Sequence, residues 1–231
     1  MTLFNDFMSL IYPRLCEGCS NTLHRHERFV CTFCLTSLPR SNYHVSPDNE
    51  LARLLAGRVP SAIAAAYLLY EKRGRVQSML HAIKYHEQKE LGEYLGHRYA
   101  EELSACDAAR DVDVILPVPL HESKFRQRGY NQSEWFARGL AEGLRKPMDC
   151  VSLQRTKATS TQTRKRKYER WENVEGIFEL KDHQKLEGKH CLLVDDVITT
   201  GATIEAAWLA IRQANNARIS VMSIAFASKN A

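Results

Sequence analysis

The stretch Cys191-Leu192-Leu193-Val194-Asp195-Asp196-Val197-Ile198-Thr199-Thr200-Gly201-Ala202-Thr203 decides the fold. Its apolar opening reads as a strand covered on both faces, because a buried parallel strand shows a continuous apolar run. The two adjacent carboxylates are expected to end that strand. A Thr/Gly turn follows, and a helix is expected near Ile204. A strand, a turn of small residues and a helix N-terminus aim backbone N–H groups and hydroxyls at one point, which suits a phosphate. Asp195 and Asp196 then face whatever lies beside that phosphate. Ribose hydroxyls, or a metal bridging them, are natural partners of carboxylates there. The plainer alternative is an α/β strand that ends in solvated acids.

This arrangement resembles the PRPP-binding motif of type I phosphoribosyltransferases. The resemblance implies that Asp195 and Asp196 hold the ribose 2′- and 3′-hydroxyls. It also implies that Thr199, Thr200, Gly201, Ala202 and Thr203 wrap the 5′-phosphate.

The remaining composition sets the frame. A chain of 231 residues suits one ordinary domain plus a small appendage. An apolar fraction of 44% with 26% charged residues is that of a soluble globular protein, and a net charge of +5 is only mildly basic. Residues Met1 to Leu15 mix Asn5, Asp6 and Arg14 with apolar residues and lack the layout of a signal peptide. No run reaches the length of a membrane span, so no membrane insertion and a cytoplasmic location are expected.

Seven cysteines are present, and Cys106, Cys150 and Cys191 are scattered among them as small hydrophobes. The other four form two CxxC pairs, Cys16/Cys19 and Cys31/Cys34, separated by eleven residues. Two residues between thiols let both sulfurs of a turn reach one ion, and two such knuckles complete a tetrahedral Zn²⁺ site. A disulfide pair is the competing reading, which a reducing compartment disfavours. His24, His26 and His44 could act as substitute ligands, yet four thiolates already fill the site. So short a unit cannot bury a core alone, and metal ligation would carry its folding.

Ser41 to Asn49 is polar, contains Pro47 and reads as a linker, with one helical turn expected at Leu51 to Leu55. Ala62 to Tyr70 reads as the first strand of the main domain. Helical spacing runs from Arg75 to Leu103, carried by Val76, Met79, Leu80 and Ile83 and, after a break, by Leu91, Leu95 and Leu103. Lys84 and Tyr85, near that break, suit base stacking or an ordinary helix end equally well. Val112 to Pro119 alternates as a second strand, stopped by Pro117 and Pro119. A loop carrying Lys124, Arg126 and Arg128 is expected next, before a helix near Ser133. Cations at a strand's carboxyl end make a second anion site there, with a solvated basic loop as the alternative.

Pro117-Val118-Pro119-Leu120, followed by Lys124, Arg126 and Arg128-Gly129-Tyr130-Asn131-Gln132, is similar to the signature of the ComF family. Arg155, Thr159, Gln162, Arg170, Asn173, Val174, Gly176 and Phe178 keep the order of that family's central motif, with Lys165 where the family often carries Leu. The acidic strand and the double CxxC head complete a resemblance over nearly the whole chain. It implies a type I phosphoribosyltransferase fold with a zinc ribbon, a PRPP-like pocket and a role in handling single-stranded DNA, in some bacteria during transformation.

Between Arg155 and Asn173 lie seven cations, Arg155, Lys157, Arg164, Lys165, Arg166, Lys167 and Arg170, with Tyr168 and Trp171 interleaved. Cations track a phosphate backbone while aromatic faces stack bases, which suits single-stranded nucleic acid. In a phosphoribosyltransferase the same segment would be the loop that closes over PRPP. A plain solvated loop is the third reading. If the protein is an enzyme, the resemblance implies displacement at ribose C1, with Lys124, Arg126 and Arg128 on the pyrophosphate and Mg²⁺ accompanying PRPP. Purine-salvage relatives carry a third Asp where this chain has Thr199, so that reaction is not expected.

Ile204, Ala207, Trp208 and Ile211 form a last helix face, with Asn215-Asn216 expected to cap it, and Ile219 to Ala227 form a final strand. The little chain after Ala227 leads us to expect no hood over a nucleobase. The expected organisation is therefore a zinc ribbon at 1–44, a linker at 45–60 and a parallel-sheet α/β domain at 61–231. Three roles compete: a DNA-handling accessory protein with a phosphoribosyl pocket, an active phosphoribosyltransferase on an unidentified acceptor, and a structural adaptor for a helicase-like partner.

Overall fold

A computed structural model describes residues 12–156 and 176–228. The main domain is a four-stranded, all-parallel sheet in the order β1-β6-β5-β2. Its strands are β1 (Ser61–Leu69), β2 (Val114–Pro117), β5 (His190–Ile198) and β6 (Arg218–Phe226). Along β5, Leu192 and Val194 enter the core on one face, and Cys191 and Leu193 enter the core on the other. The two-residue repeat of a strand sends neighbours to opposite sides, so a continuous apolar run is what a doubly covered strand requires.

The first face carries α3 (Arg75–Tyr85), α4 (Lys89–Leu103) and α7 (Gln132–Leu144). The second carries α2 (Glu50–Leu55) and α8 (Ala202–Ile211). Helices α4 and α7 approach until backbones touch. A Cβ added to Gly139 would stand 2.0 Å from the Glu93 carbonyl oxygen, and one added to Gly96 would stand 2.3 Å from that of Phe136. Only glycine allows that approach.

A topological reversal fixes where a ligand can enter. From β2 the chain passes through α7 on the first face and returns to pair Met148 with Ile115, outside β2. From β5 it passes through α8 on the opposite face to β6. The crevice beyond the carboxyl ends of β2 and β5 lies between these two directions, the position at which open α/β sheets bind ligands.

Several sequence expectations need correction. The acids do not end β5: pairing with β6 continues through Asp195–Ser223 and Val197–Ala225 to Ile198–Phe226. On the other side β2 stops at Pro117, which leaves Asp195 and Asp196 facing the crevice. Within the stretch 45–60, read as a linker, the helical turn expected at Leu51 to Leu55 is α2, but its Leu51 and Leu55 are fully buried against the sheet. The basic loop is a short helix, α6 (Glu122–Arg128), closed by Gly129 in the left-handed region. Helix α8 ends at Ile211, so Asn216 turns the chain five residues later instead of capping it. Two short strands escaped the sequence reading, β3 (Leu153–Arg155) and β4 (Phe178–Leu180), which pair antiparallel. The small helix α5 (Asp107–Arg110) precedes β2.

The N-terminal unit contains α1 (Thr32–Ser37) and packs Leu23, Val30 and Leu38 into the same core as Tyr67 and Leu68 of β1. The charged contact of Arg40 with Glu102, at 3.3 Å, and the stacking of Arg40 on Tyr67 fasten the connection. Among the described residues no helix is long and apolar enough to cross a membrane.

Candidate phosphoribosyl pocket and metal centre

Asp195 is 8% exposed, and its Oδ1 accepts from the Ser133 hydroxyl at 3.0 Å and from the Asp196 N–H at 2.9 Å. Ser133 lies in the first turn of α7, whose N-cap Asn131 is locked in place by donating from Nδ2 to the Val118 carbonyl at 3.0 Å. Asp196 accepts the Val197 N–H at Oδ1 at 2.6 Å and the Lys84 ammonium at Oδ2 at 2.7 Å. Burial pushes the Asp195 carboxyl up to about 7, and the adjacent Asp196 charge adds to the shift. A neutral or half-ionised acid at physiological pH can donate to, as well as accept from, a ligand hydroxyl.

Two cations therefore stand beside the acids. Lys84 comes from the last turn of α3, anchored by the Tyr130 hydroxyl bonding to the Ile83 carbonyl. Arg155 reaches the site from β3 and stacks on Phe178 at 5.3 Å. Its own burial lowers its pKa, while the Asp195 charge opposes that loss. Lys84 read equally as a base-stacking residue or an ordinary helix end, and Ser133 did not stand out, since a serine near a helix start is ordinary; neither was expected beside the acids. Only the crossing of α3 and α7 over β5 gives them a role.

The threonine turn is braced from behind. Thr199, Thr200 and Ala202 are exposed, Thr203 is half-buried and Gly201 is buried. Gly201 adopts φ +74°, and a Cβ there would stand 2.7 Å from Leu55 of α2. Arg58, just beyond α2, donates to the Thr200 carbonyl at 3.0 Å and from Nε to Glu205 of α8 at 2.9 Å. The exposed side of the turn thus presents hydroxyls and the first N–H groups of α8, a ready anion site.

The three cations of α6 do not converge. Lys124 and Arg128, four residues apart, share one side of the helix, and Arg126 projects from the other, where it pairs with Glu122. Arg128 bonds Gln132 at 2.9 Å and lies over the Tyr85 ring at 5.4 Å, which ties it to the end of α3. Lys157, Arg164, Lys165, Arg166, Lys167, Arg170 and Trp171 lie outside the described residues. The strands β3 and β4 bracket them, and Arg155 at the end of β3 feels the Asp195 charge.

Cys16, Cys19, Cys31 and Cys34 form the second site, their sulfurs within 4.8 Å of one another. The Cys16 sulfur accepts the N–H groups of Cys31 at 3.2 Å and of Gly18 at 3.4 Å, and the Cys31 sulfur accepts that of Cys34 at 3.4 Å. Burial opposes ionisation of Cys16, but these N–H groups bring its thiol down to about 7, whereas burial drives Cys34 far up. Four thiols aimed at one centre fit a tetrahedral metal ion. A Cβ on Gly18 would press on the Cys34 sulfur at 3.3 Å. Glu27 steadies the second knuckle by accepting from the N–H groups of Thr32 at 2.6 Å and His24 at 2.7 Å.

Known proteins resemble this chain over most of its length. Residues 131–231, from the α7 cap through β6, match the phosphoribosyl transferase domain family. The DNA utilization protein YhgH of Salmonella typhi is 30% identical over 214 residues, covering 88% of this chain and 93% of that protein. The Escherichia coli K12 protein of that name is 27% identical over 86% of this chain and 84% of its own. The competence protein ComFC of Bacillus subtilis is 26% identical over 84% and 76%. A solved structure of the allosteric regulatory enzyme of purine biosynthesis aligns over 58% of this chain and 25% of its own, at 22% identity and TM-score 0.39. With a full-length relative at this identity and a phosphoribosyltransferase-type sheet behind a four-cysteine head, the chain belongs to the ComF family.

Proposed function

We propose that the protein binds a phosphoribosyl ligand of the PRPP class beyond the carboxyl end of β5 and serves a ComF-like role in handling single-stranded DNA. The observation that carries this reading is the Asp195–Asp196 pair at the sheet's reversal point, next to the threonine turn that opens α8. In this reading Asp195 and Asp196 take the ribose hydroxyls, and Thr199 to Thr203 take the 5′-phosphate through hydroxyls and N–H groups. Lys124 and Arg128, on the shared side of α6, serve the pyrophosphate end, and Arg126 contributes least because Glu122 already engages it.

The DNA half is supported by the names of the relatives and by the basic, aromatic composition of 155–173. The four thiols suit Zn²⁺ in a structural role, since a closed set of four protein ligands leaves no open position for substrate.

Isothermal titration with PRPP tests the pocket. Saturable binding to the wild type that falls at least tenfold in Asp195→Asn, with the fold retained, is the expected result. No heat and no thermal shift from PRPP would refute the pocket. Fluorescence anisotropy with a single-stranded oligonucleotide tests the other half, with binding that weakens as salt is raised.

A further inference from the structure

Two carboxylates side by side attract a hard divalent cation, which normally draws several oxygen ligands to itself. Here the pair already has a cation of its own. The Lys84 ammonium lies 2.7 Å from Asp196 Oδ2, with the two side chains only 24% and 17% exposed. The other Asp196 oxygen accepts the Val197 N–H, so both are engaged. Asp195 Oδ1 likewise carries two donors, the Ser133 hydroxyl and the Asp196 N–H.

Lys84 is not a loose surface side chain that happens to reach this point. Ile83 beside it is fully buried, and its carbonyl is bonded to the Tyr130 hydroxyl across from α3. Tyr85, on its other side, carries the Arg128 guanidinium 5.4 Å from its ring centroid. The end of α3 is thereby held from both sides with its lysine directed at β5. A compact ammonium on a flexible stem can give up a carboxylate to ligand hydroxyls and turn to an anionic group nearby.

We propose that Lys84 is a binding residue of this pocket, supplying the positive charge of the acidic pair in place of a divalent metal and barring such a metal from Asp196. The Mg²⁺ expected from the family resemblance does not fit Asp196 while Lys84 is bonded to it. The inference rests on reading the acids as the ligand-facing groups of the pocket. Its test uses metal alone, so a failure of PRPP binding and a failure of this inference are separate results.

The experiment is a Mn²⁺ titration of the zinc-loaded full chain, followed by electron paramagnetic resonance and by the thermal midpoint. The proteins are the wild type, Lys84→Gln, Lys84→Arg and the double variant Lys84→Gln/Asp196→Asn. Lys84→Gln should melt lower without metal, bind Mn²⁺ at least tenfold more tightly than the wild type and recover its midpoint on binding. Lys84→Arg should behave as the wild type, and the double variant should lose the gained Mn²⁺ response. Equal Mn²⁺ affinity in the wild type and Lys84→Gln would overturn the proposal. Should Lys84→Gln not fold, the wild type decides: weak Mn²⁺ binding that Asp196→Asn leaves unchanged supports the inference, and tight binding that Asp196→Asn abolishes overturns it.

Discussion

The cysteine centre and the acidic pocket both gather side chains that repel one another once ionised, yet they are assembled in opposite ways. The four thiols lie within Cys16 to Cys34, and the N–H groups that receive the sulfurs come from Gly18, Cys31 and Cys34 of the same segment. The pocket gathers Lys84, Ser133, Arg155 and the Asp195–Asp196 pair from four separate elements. One site is closed on itself and the other opens to the crevice beyond the sheet. A local, closed set of ligands serves to hold a fold, whereas a long-range set requires the fold to exist first and can then exchange partners with a ligand.

The largest effect is expected from loss of the four-thiol centre. Cys34→Ala, or a strong chelator, should unfold the N-terminal unit, because structural zinc supplies about 10–16 kcal/mol of folding free energy in small metal domains. Hydrogen exchange should show lost protection across 14–38 and in the facing part of β1, since Leu23, Val30 and Leu38 share its core. If the main domain depends on that shared core, the PRPP response should weaken as well. An unchanged response would show that the pocket stands on the sheet alone.

The next largest effect is expected at the scaffold that positions Ser133. Gly139→Ala places a methyl group against the Glu93 carbonyl, where 2.0 Å is available, so α4 and α7 must separate. The cost should be about 1–3 kcal/mol, typical of an overpacked core, read as a lower urea midpoint. Because α7 carries Ser133, the variant should also loosen the hydrogen bond to Asp195.

A smaller and more specific signature lies in pH. The Asp195 carboxyl is raised from 3.8 to about 7 by burial and by Asp196, so the folded protein holds a proton that the unfolded chain releases. The stability this provides is complete below about pH 4 and is lost as pH rises toward 7. Asp195→Asn removes that dependence. The difference in thermal midpoint between wild type and variant should therefore drift in favour of the variant from pH 4 to pH 7. A flat difference would contradict the buried pair.

The smallest effect is expected at the brace behind the threonine turn. Arg58→Ala removes the bonds to the Thr200 carbonyl and to Glu205, at partly exposed groups, and should cost about 1 kcal/mol or less. PRPP binding should weaken more than stability does, because the turn loses its fixed shape.

Much of the architecture was readable in the chain because its signals are local. Cys191 to Val194 read as a doubly covered strand and form one, and the two CxxC pairs set their own spacing. Other features were decided by neighbours. The strand continues through both aspartates because β6 supplies partners as far as Phe226, while β2 stops at Pro117 and exposes the acids. In the segment 45–60 the helical turn at Leu51 to Leu55 was legible but its burial was not, because two leucines give too short a pattern to display a face. Lys124, Arg126 and Arg128 looked like one cluster in sequence, but helical rotation sends Arg126 to the opposite side.

By itself, then, the sequence determined the four-cysteine cluster, the buried strand and the Thr/Gly turn that opens a helix, since each depends on residues adjacent in the chain. Only the tertiary structure decided which charges face Asp195 and Asp196. Lys84, Ser133 and Arg155 reach them through packing of α3, α7 and β3 around β5, and no spacing along the chain encodes that meeting.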